Sequence, residues 1–269
     1  MTVHSAMQQA APRVRLFLDQ RLARGEAAML DRDRTHYLKT VMRLAPGDAV
    51  AAFNGEDGEW LGRIETVDKR RVALRLERLL AGQPDSGDFW LLFAPLKRGP
   101  SELIVSKAVE LGATALVPVA TARTTAPRIR PERMKLLAIE AAEQCGRCDV
   151  PEVREAEPLR ALLERWPAGR QLMFCDESGG GRPIVEFLTE ARDCGATGPW
   201  AALIGPEGGF AEEERAALRS RSFVHAVDLG PRLLRAETAA IAALACWQAV
   251  IGDWRRPDDL PARPAAARG

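Results

Sequence analysis

Two short segments of this chain gather chemically capable side chains around glycines. The first, LIGPEGGFAEEE at residues 203–214, is an apolar run that ends in a turn holding Gly205, Gly208, Gly209 and Glu207, with Glu212, Glu213 and Glu214 directly after it. The second, LGPRLLRAETAA at residues 229–240, sets Arg232, Arg235, Glu237 and Thr238 beside Leu233 and Leu234. A strand that passes through a glycine turn into a helix is the order of a phosphate cradle. Carboxylates ring the first turn, however, and would repel a phosphate. Two readings stand at this point. Each segment can be a plain strand-to-helix turn, with Glu212 to Glu214 favoured at a helix N-terminus. Charges mixed with leucines at a strand exit also suit a pocket for a ligand that is part apolar and part polar.

Other chemistry-bearing signatures are missing. The turn at 205–209 reads G-P-E-G-G and not G-x-G-x-x-G; no glycine precedes Lys-Ser or Lys-Thr, and no H-E-x-x-H occurs. Cys145 and Cys148 have the spacing of half a metal site, but no second pair and no nearby histidine completes a shell, so no metal is expected. Cys145 falls on an apolar stripe and reads as structural. The run ESGGGRP at 177–183 reads as a flexible loop.

The elements that must position these residues follow from pattern. RVRLFLD alternates, with Arg13, Arg15 and Phe17 on one face and Val14, Leu16 and Leu18 on the other. DAVAAFNG, EWLGRIETV and RVALRLERL read as further short strands, and DRTHYLKTVMRL as a short helix between the first two. Residues 13–80 are thus a small β-rich unit, and AGQPDSGD at 81–88 has linker composition. Beyond it the apolar runs WLLFAPL, ALVPVA, QLMFCD, WAALIG and AVDLG alternate with helical patterns, which predicts a mostly parallel sheet in an α/β domain over 87–255. One helix should enter through Pro131 and bury Met134, Leu137, Ala138, Ala141, Ala142 and Cys145. The last, AETAAIAALACWQAVIGDW, is apolar almost all round and should be buried or lie in an interface. The first dozen residues read as a flexible tail and 256–269 as a disordered one.

Composition sets the outer bounds. The 269 residues are 46% hydrophobic and 28% charged, as in a soluble globular protein. The net charge of +1 conceals 38 basic and 37 acidic side chains, so a nucleic-acid partner would have to be met by local patches. Five cysteines without a secretory leader argue against a disulfide framework. AAIAALACWQAVIG falls short of the ~18–20 residues of a membrane span. No membrane partner and a cytoplasmic location are expected.

Five segments in order resemble one family. LIGPEGGF and LGPRLLRAETAA, with HYLKTVMRLAPGD at 36–48, KRGPSELIVSKAVELGATALVPV at 97–119 and EAAEQCGRCDVPEV at 140–153, are similar to motifs of the bacterial 16S ribosomal RNA uridine-N3 methyltransferases. These are a branch of the SPOUT superfamily with a C-terminal trefoil knot. The resemblance implies a PUA-like RNA-binding β-barrel in front, an α/β methyltransferase domain behind, and a homodimer formed through the knot domain. It implies S-adenosylmethionine as cofactor and 16S ribosomal RNA of the small subunit as partner. The cofactor would fall to Leu203, Gly205, Glu207, Gly208 and Gly209, with Leu229, Gly230, Leu234 and Thr238. Its sulfonium is positive, which makes nearby carboxylates tolerable, and bare glycines would let the backbone come close.

Methylating N3 of uridine requires loss of its proton and stabilisation of the resulting anion, for which Arg235 and Arg232 are the candidates. Glu237 and Glu207 are the possible bases. On the RNA side Arg13, Arg15, His36, Lys39 and Arg43 would make the front unit basic, Lys97, Arg98 and Lys107 add cations behind, and Arg147 sits in the matching EQCGR. Arg235 could instead pair with Glu237, and Lys107 with Glu110. Two rival readings remain: a related knot methyltransferase acting on transfer RNA, and a non-catalytic RNA-binding assembly factor. The second predicts decayed loops, and both loops are intact.

Overall fold

The computed structural model describes residues 12–66, 71–125, 130–196 and 198–255. The tails expected at 1–11 and 256–269 lie outside these residues. The described chain divides into two compact units, one running to Pro84 and taking in Ala142–Asp149, the other formed by Asp85–Ala141 and the residues from Val150 onward.

In the first unit, strands β1 (Arg15–Phe17), β2 (Ala27–Met29), β3 (Ala49–Phe53), β4 (Glu59–Thr66) and β5 (Val72–Ala81) make a five-stranded sheet in the order β1-β3-β4-β5-β2. β1 runs parallel to β3 and the other pairs are antiparallel. The alternation read in RVRLFLD is observed, with Val14, Leu16 and Leu18 entering a core made with Val50, Ala52 and Leu74. β2 was not legible, because AAM is three residues long and has no alternation to show. The short helix is α1 (Arg32–His36), capped by Asp31, whose carboxylate accepts the Arg34 N–H at 2.7 Å. It widens at once into a π-helical turn, Tyr37–Val41. Leu38 is pulled into the core while Tyr37 and Val41 are left exposed. Arg43 closes the turn at φ +53°, a left-handed conformation that a non-glycine residue seldom adopts.

The second unit is a parallel sheet in the order β11-β13-β10-β12-β6-β7-β8. Its strands are β6 (Phe89–Phe93), β7 (Ala115–Ala120), β8 (Glu152–Val153), β10 (Gln171–Cys175), β11 (Arg182–Pro183), β12 (Trp200–Ile204) and β13 (Val224–Asp228), with the short β9 (Glu157–Pro158) pairing with β7. Helices α2 (Arg98–Glu110), α3 (Pro131–Cys145), α4 (Leu159–Glu164), α5 (Ile184–Asp193), α6 (Glu212–Arg219) and α7 (Ala236–Val250) connect them. The continuous apolar runs are explained by β6, β7, β10 and β12 being buried almost throughout. α3 buries the stripe expected of it, from Met134 to Ala142. α7 buries Ala240, Ala243, Leu244, Trp247 and Val250, but Thr238 and Ala249 stay exposed and Ala242 and Ala245 half-buried. No helix among the described residues is long and apolar enough to cross a membrane.

Candidate functional site

β12, β10 and β13 are parallel neighbours, so their C-terminal ends open side by side and the loops that follow them meet. Ligands of open α/β sheets bind at this edge. After β10, Asp176 is buried and accepts the Ser178 N–H at 3.0 Å and its hydroxyl at 2.7 Å, with Arg219 as a third partner. Burial pushes its carboxyl up, but the Ser178 hydrogen bonds and Arg219 outweigh burial and hold it below the ordinary 3.8. Glu177 reaches across to the next loop: its Oε1 accepts the Phe210 N–H at 3.0 Å and lies 3.5 Å from Arg215 Nη1. After β13, the Asp228 carboxylate accepts the Gly230 N–H at 2.9 Å. Gly230 sits at φ +107° with open space where a side chain would point.

Between the first and third of these loops lies a cavity of about 270 Å³, lined by Asp176, Glu177, Asp228, Val227, the backbone turn Leu229–Leu234 and Ala239. Leu229, Gly230, Arg232 and Leu234 therefore stand where the sequence places them. Arg235 is the exposed N-cap of α7 and makes no ion pair with Glu237 among the described residues. Glu237 and Thr238 follow in the first turn without lining the cavity; Ala239 does so instead.

The LIGPEGG segment departs from expectation. Leu203 is a core residue, fully buried with Leu172 and Phe174. Gly205 is bare because a Cβ there would lie 2.6 Å from the Phe210 ring. Gly209 stands at φ +66°, and a Cβ on it would overlap the Glu177 carboxylate. Two of the three glycines thus answer to packing and backbone geometry within the protein. Glu207 and Gly208 face a second, smaller cleft of about 150 Å³ with Pro95, Leu96, Lys97 and Arg123. The acidic run is also structural in part: Glu214 accepts the N–H groups of Ala211 at 3.0 Å and Ala122 at 2.7 Å, and Glu212 pairs with Arg215 at 2.7 Å. The carboxylates on the larger cavity are instead Asp176, Glu177 and Asp228. The loop at 177–183, read as merely flexible, supplies two of its walls through Glu177 to Gly179. Its signal was available, since QLMFCD ends in an acid and a glycine run much as the other two strands do.

Of the RNA-facing cations, two are corrected. Arg15 has a side chain only 10% exposed, pairs with Glu59 at 2.5 Å, donates to the Ala142 carbonyl at 2.9 Å and the Arg147 carbonyl at 3.1 Å, and stacks over Phe53. Arg147 is equally covered and forks onto Asp149 at 2.7 and 2.8 Å. Both hold residues 142–149 within the first unit and neither has a surface to offer RNA. Cys148 lies under them, its thiol pushed up to about 11, chiefly by burial and then by Glu59. Lys107 forms the pair with Glu110, at 2.7 Å, and Arg98 pairs with Glu102 at 3.0 Å. Arg13, His36, Arg43 and Lys97 are exposed. Tyr37, passed over in the sequence, is exposed between His36 and Lys39. Among the described residues no group of three or more His, Cys, Asp or Glu is placed to hold a metal ion.

The comparisons with known proteins converge. A family model for an RNA methyltransferase domain matches residues 83–248, and one for an RNA methyltransferase PUA domain matches residues 30–77. The chain is 30% identical over 233 residues to the ribosomal RNA small subunit methyltransferase E of Rickettsia conorii, an alignment covering 86% of this chain and 93% of that one. Its identity to the Bacillus subtilis protein of the same name is 28% over 220 residues, with 79% and 86% covered. The crystal structure of a ribosomal RNA small subunit methyltransferase E from Neisseria gonorrhoeae, bound to S-adenosyl methionine, matches with a TM-score of 0.77 at 26% identity, covering 88% of this chain and 97% of that one.

Proposed function

Because this chain belongs to the RNA methyltransferase family, whose domain spans residues 83–248, we propose that it methylates N3 of a uridine in the 16S ribosomal RNA of the small subunit, with S-adenosylmethionine as methyl donor. The observation that carries this reading is the 270 Å³ cavity at the strand ends and the chemistry of its lining. Leu229, Leu234, Val227 and Ala239 offer an apolar slot for an adenine, and the turn from Leu229 to Leu234 offers backbone donors and acceptors to its edge. Asp176, Glu177 and Asp228 put negative charge where a sulfonium is welcome and a pyrophosphate is not. The residues fit the cofactor.

When bound, S-adenosylmethionine supplies an electrophilic methyl group, the N–C bond forming as the C–S bond breaks with its electron pair left on sulfur. The protein's task is to take the N3 proton and hold the uracil anion. Arg232, on the cavity, and Arg235, at the start of α7, are the cations for that charge. Glu207 and Glu237 are the candidate bases.

In this reading residues 13–80 are the PUA-like RNA-binding domain and 87–255 the knotted methyltransferase domain, acting in the cytoplasm as a homodimer. The open row Thr238, Ala242, Ala245 and Ala249 on α7, with Leu233 85% exposed, supports a subunit contact through the knot domain. The test is transfer of labelled methyl to small subunits lacking the modification, followed by nucleoside analysis. 3-Methyluridine is expected. Label found only on transfer RNA, or on another base, would overturn the assignment.

A further inference from the structure

β6 and β12 are adjacent and parallel, yet the chain leaves β6 toward β7 on one side while β10 and β13 lie on the other. The sheet thus reverses its winding between β6 and β12, and the crevice outside such a point is a place where open α/β sheets take ligands. The second cleft is found there. It is lined by Pro95, Leu96 and Lys97 after β6, Arg123 after β7, and Glu207 and Gly208 after β12. At about 150 Å³ it falls well below the roughly 300–1,000 Å³ of a site for a whole drug-sized ligand and suits a single ring or a phosphate. Arg123 Nη1 donates to the Gly208 carbonyl at 2.9 Å, which anchors the guanidinium while its other donors stay exposed. The Lys97 ammonium makes no ion pair among the described residues.

We propose that this cleft receives the target nucleotide, with its phosphate on Lys97 and Arg123 and its pyrimidine N3–H on Glu207. The inference rests on the function proposed above and adds to it where the substrate sits. An ionised carboxylate only accepts hydrogen bonds, so it favours a ring that presents N3–H, as uracil does, and disfavours cytosine, whose N3 is itself an acceptor. The same oxygen then takes the N3 proton, leaving the nitrogen lone pair free to form the new N–C bond. The cleft shares a wall with the cofactor cavity. Glu207 and Gly208 face one side of the turn, and the next residue, Gly209, abuts Glu177 on the other. Acceptor and donor are thereby brought to opposite sides of one turn, as proximity requires.

The experiment uses the full-length protein and measures methyl transfer to unmodified small subunits, calorimetric binding of S-adenosylhomocysteine, and the salt dependence of subunit binding. Lys97→Ala should raise KM for subunits and reduce the log K against log salt slope by about 0.7–0.9, the signature of one phosphate contact. Its affinity for S-adenosylhomocysteine should match wild type. Glu207→Gln should lower kcat by about 10²-fold and remove the acidic limb of the pH–rate profile, again with the cofactor product bound normally. Arg123→Lys keeps a donor for Gly208 and controls for collapse of the turn. Weakened S-adenosylhomocysteine binding in Lys97→Ala or Glu207→Gln would assign the cleft to the cofactor and overturn the proposal. If wild type makes 3-methyluridine and both variants turn over as wild type does, the cleft assignment alone falls. If wild type binds S-adenosylhomocysteine and makes no 3-methyluridine, the proposed function falls and this inference with it.

Discussion

Gly205, Gly208 and Gly209 look alike in sequence but answer to different forces, and alanine at each should separate them. At Gly205 the new Cβ would meet the Phe210 ring at 2.6 Å. That ring is fully buried and packs edge-on against Phe174 at 4.9 Å, so it cannot swing away. Overpacking of this kind costs about 1–3 kcal/mol, which is roughly 3–10 °C in Tm for a domain of this size. Gly209→Ala carries about 1–2 kcal/mol of left-handed backbone strain. It also displaces Glu177 from the Phe210 N–H, and leaving that buried donor unpaired costs a further ~1–3 kcal/mol. Because Glu177 lines the larger cavity, Gly209→Ala should weaken S-adenosylhomocysteine as well; a 2 kcal/mol bias away from the competent loop is about 30-fold in apparent Kd. Gly208→Ala meets only Arg123, at 3.7 Å, with an ordinary backbone conformation. It should leave Tm unchanged or raise it slightly through the unfolded state. Thermal denaturation and calorimetric titration check all three. The reasoning is refuted if Gly205→Ala keeps the wild-type Tm while Gly208→Ala loses cofactor affinity as Gly209→Ala does. The glycines would then be bare for the cofactor's sake.

Four further outcomes are expected. Arg235→Ala should abolish methyl transfer while S-adenosylhomocysteine still binds, since Arg235 lies outside the larger cavity's lining; retained turnover would reduce it to an N-cap. Tyr37→Ala should weaken subunit binding by about 1–3 kcal/mol if a base stacks on it, and unchanged affinity in a filter-binding assay would remove the π-helical turn from the RNA surface. Arg170, buried between the Trp200 carbonyl at 2.8 Å, Asp88 at 2.6 Å and the face of Trp90 at 3.7 Å, should cost about 2–3 kcal/mol on change to Met, seen as a lower Tm with activity per folded molecule intact. Asp176 has a folded pKa held below its unfolded one, so its stabilisation is complete above about pH 4 and is lost as pH falls through the folded value. Asp176→Asn should therefore flatten the acid limb of a Tm-against-pH profile below pH ~4, and an unchanged limb would show that another group sets it.

Much of the fold could be read without coordinates because it is written in near neighbours. The apolar runs that became β6, β7, β10, β12 and β13, the buried stripe of α3 and the alternation of β1 each depend on residues two to four apart. So do the turns after β12 and β13, whose Gly-Pro bends and adjoining charges drew attention to the site and to the family. What the chain could not disclose is which distant partner each side chain meets. Arg15 has the look of a surface cation, but its partners are 44 residues away at Glu59 and 127 away at Ala142. Glu177 belongs to an unremarkable glycine run until packing sets it against Phe210, 33 residues on. The division of one expected site into a larger cavity and a smaller cleft is likewise tertiary. It arises because parallel strands from separate stretches of chain end at one edge, and only the loops that follow neighbouring strands can share a wall. Periodicity is local and survives in the sequence; pairing across the sheet depends on order and register, which the hydrophobic pattern permits in several arrangements and close packing resolves into one.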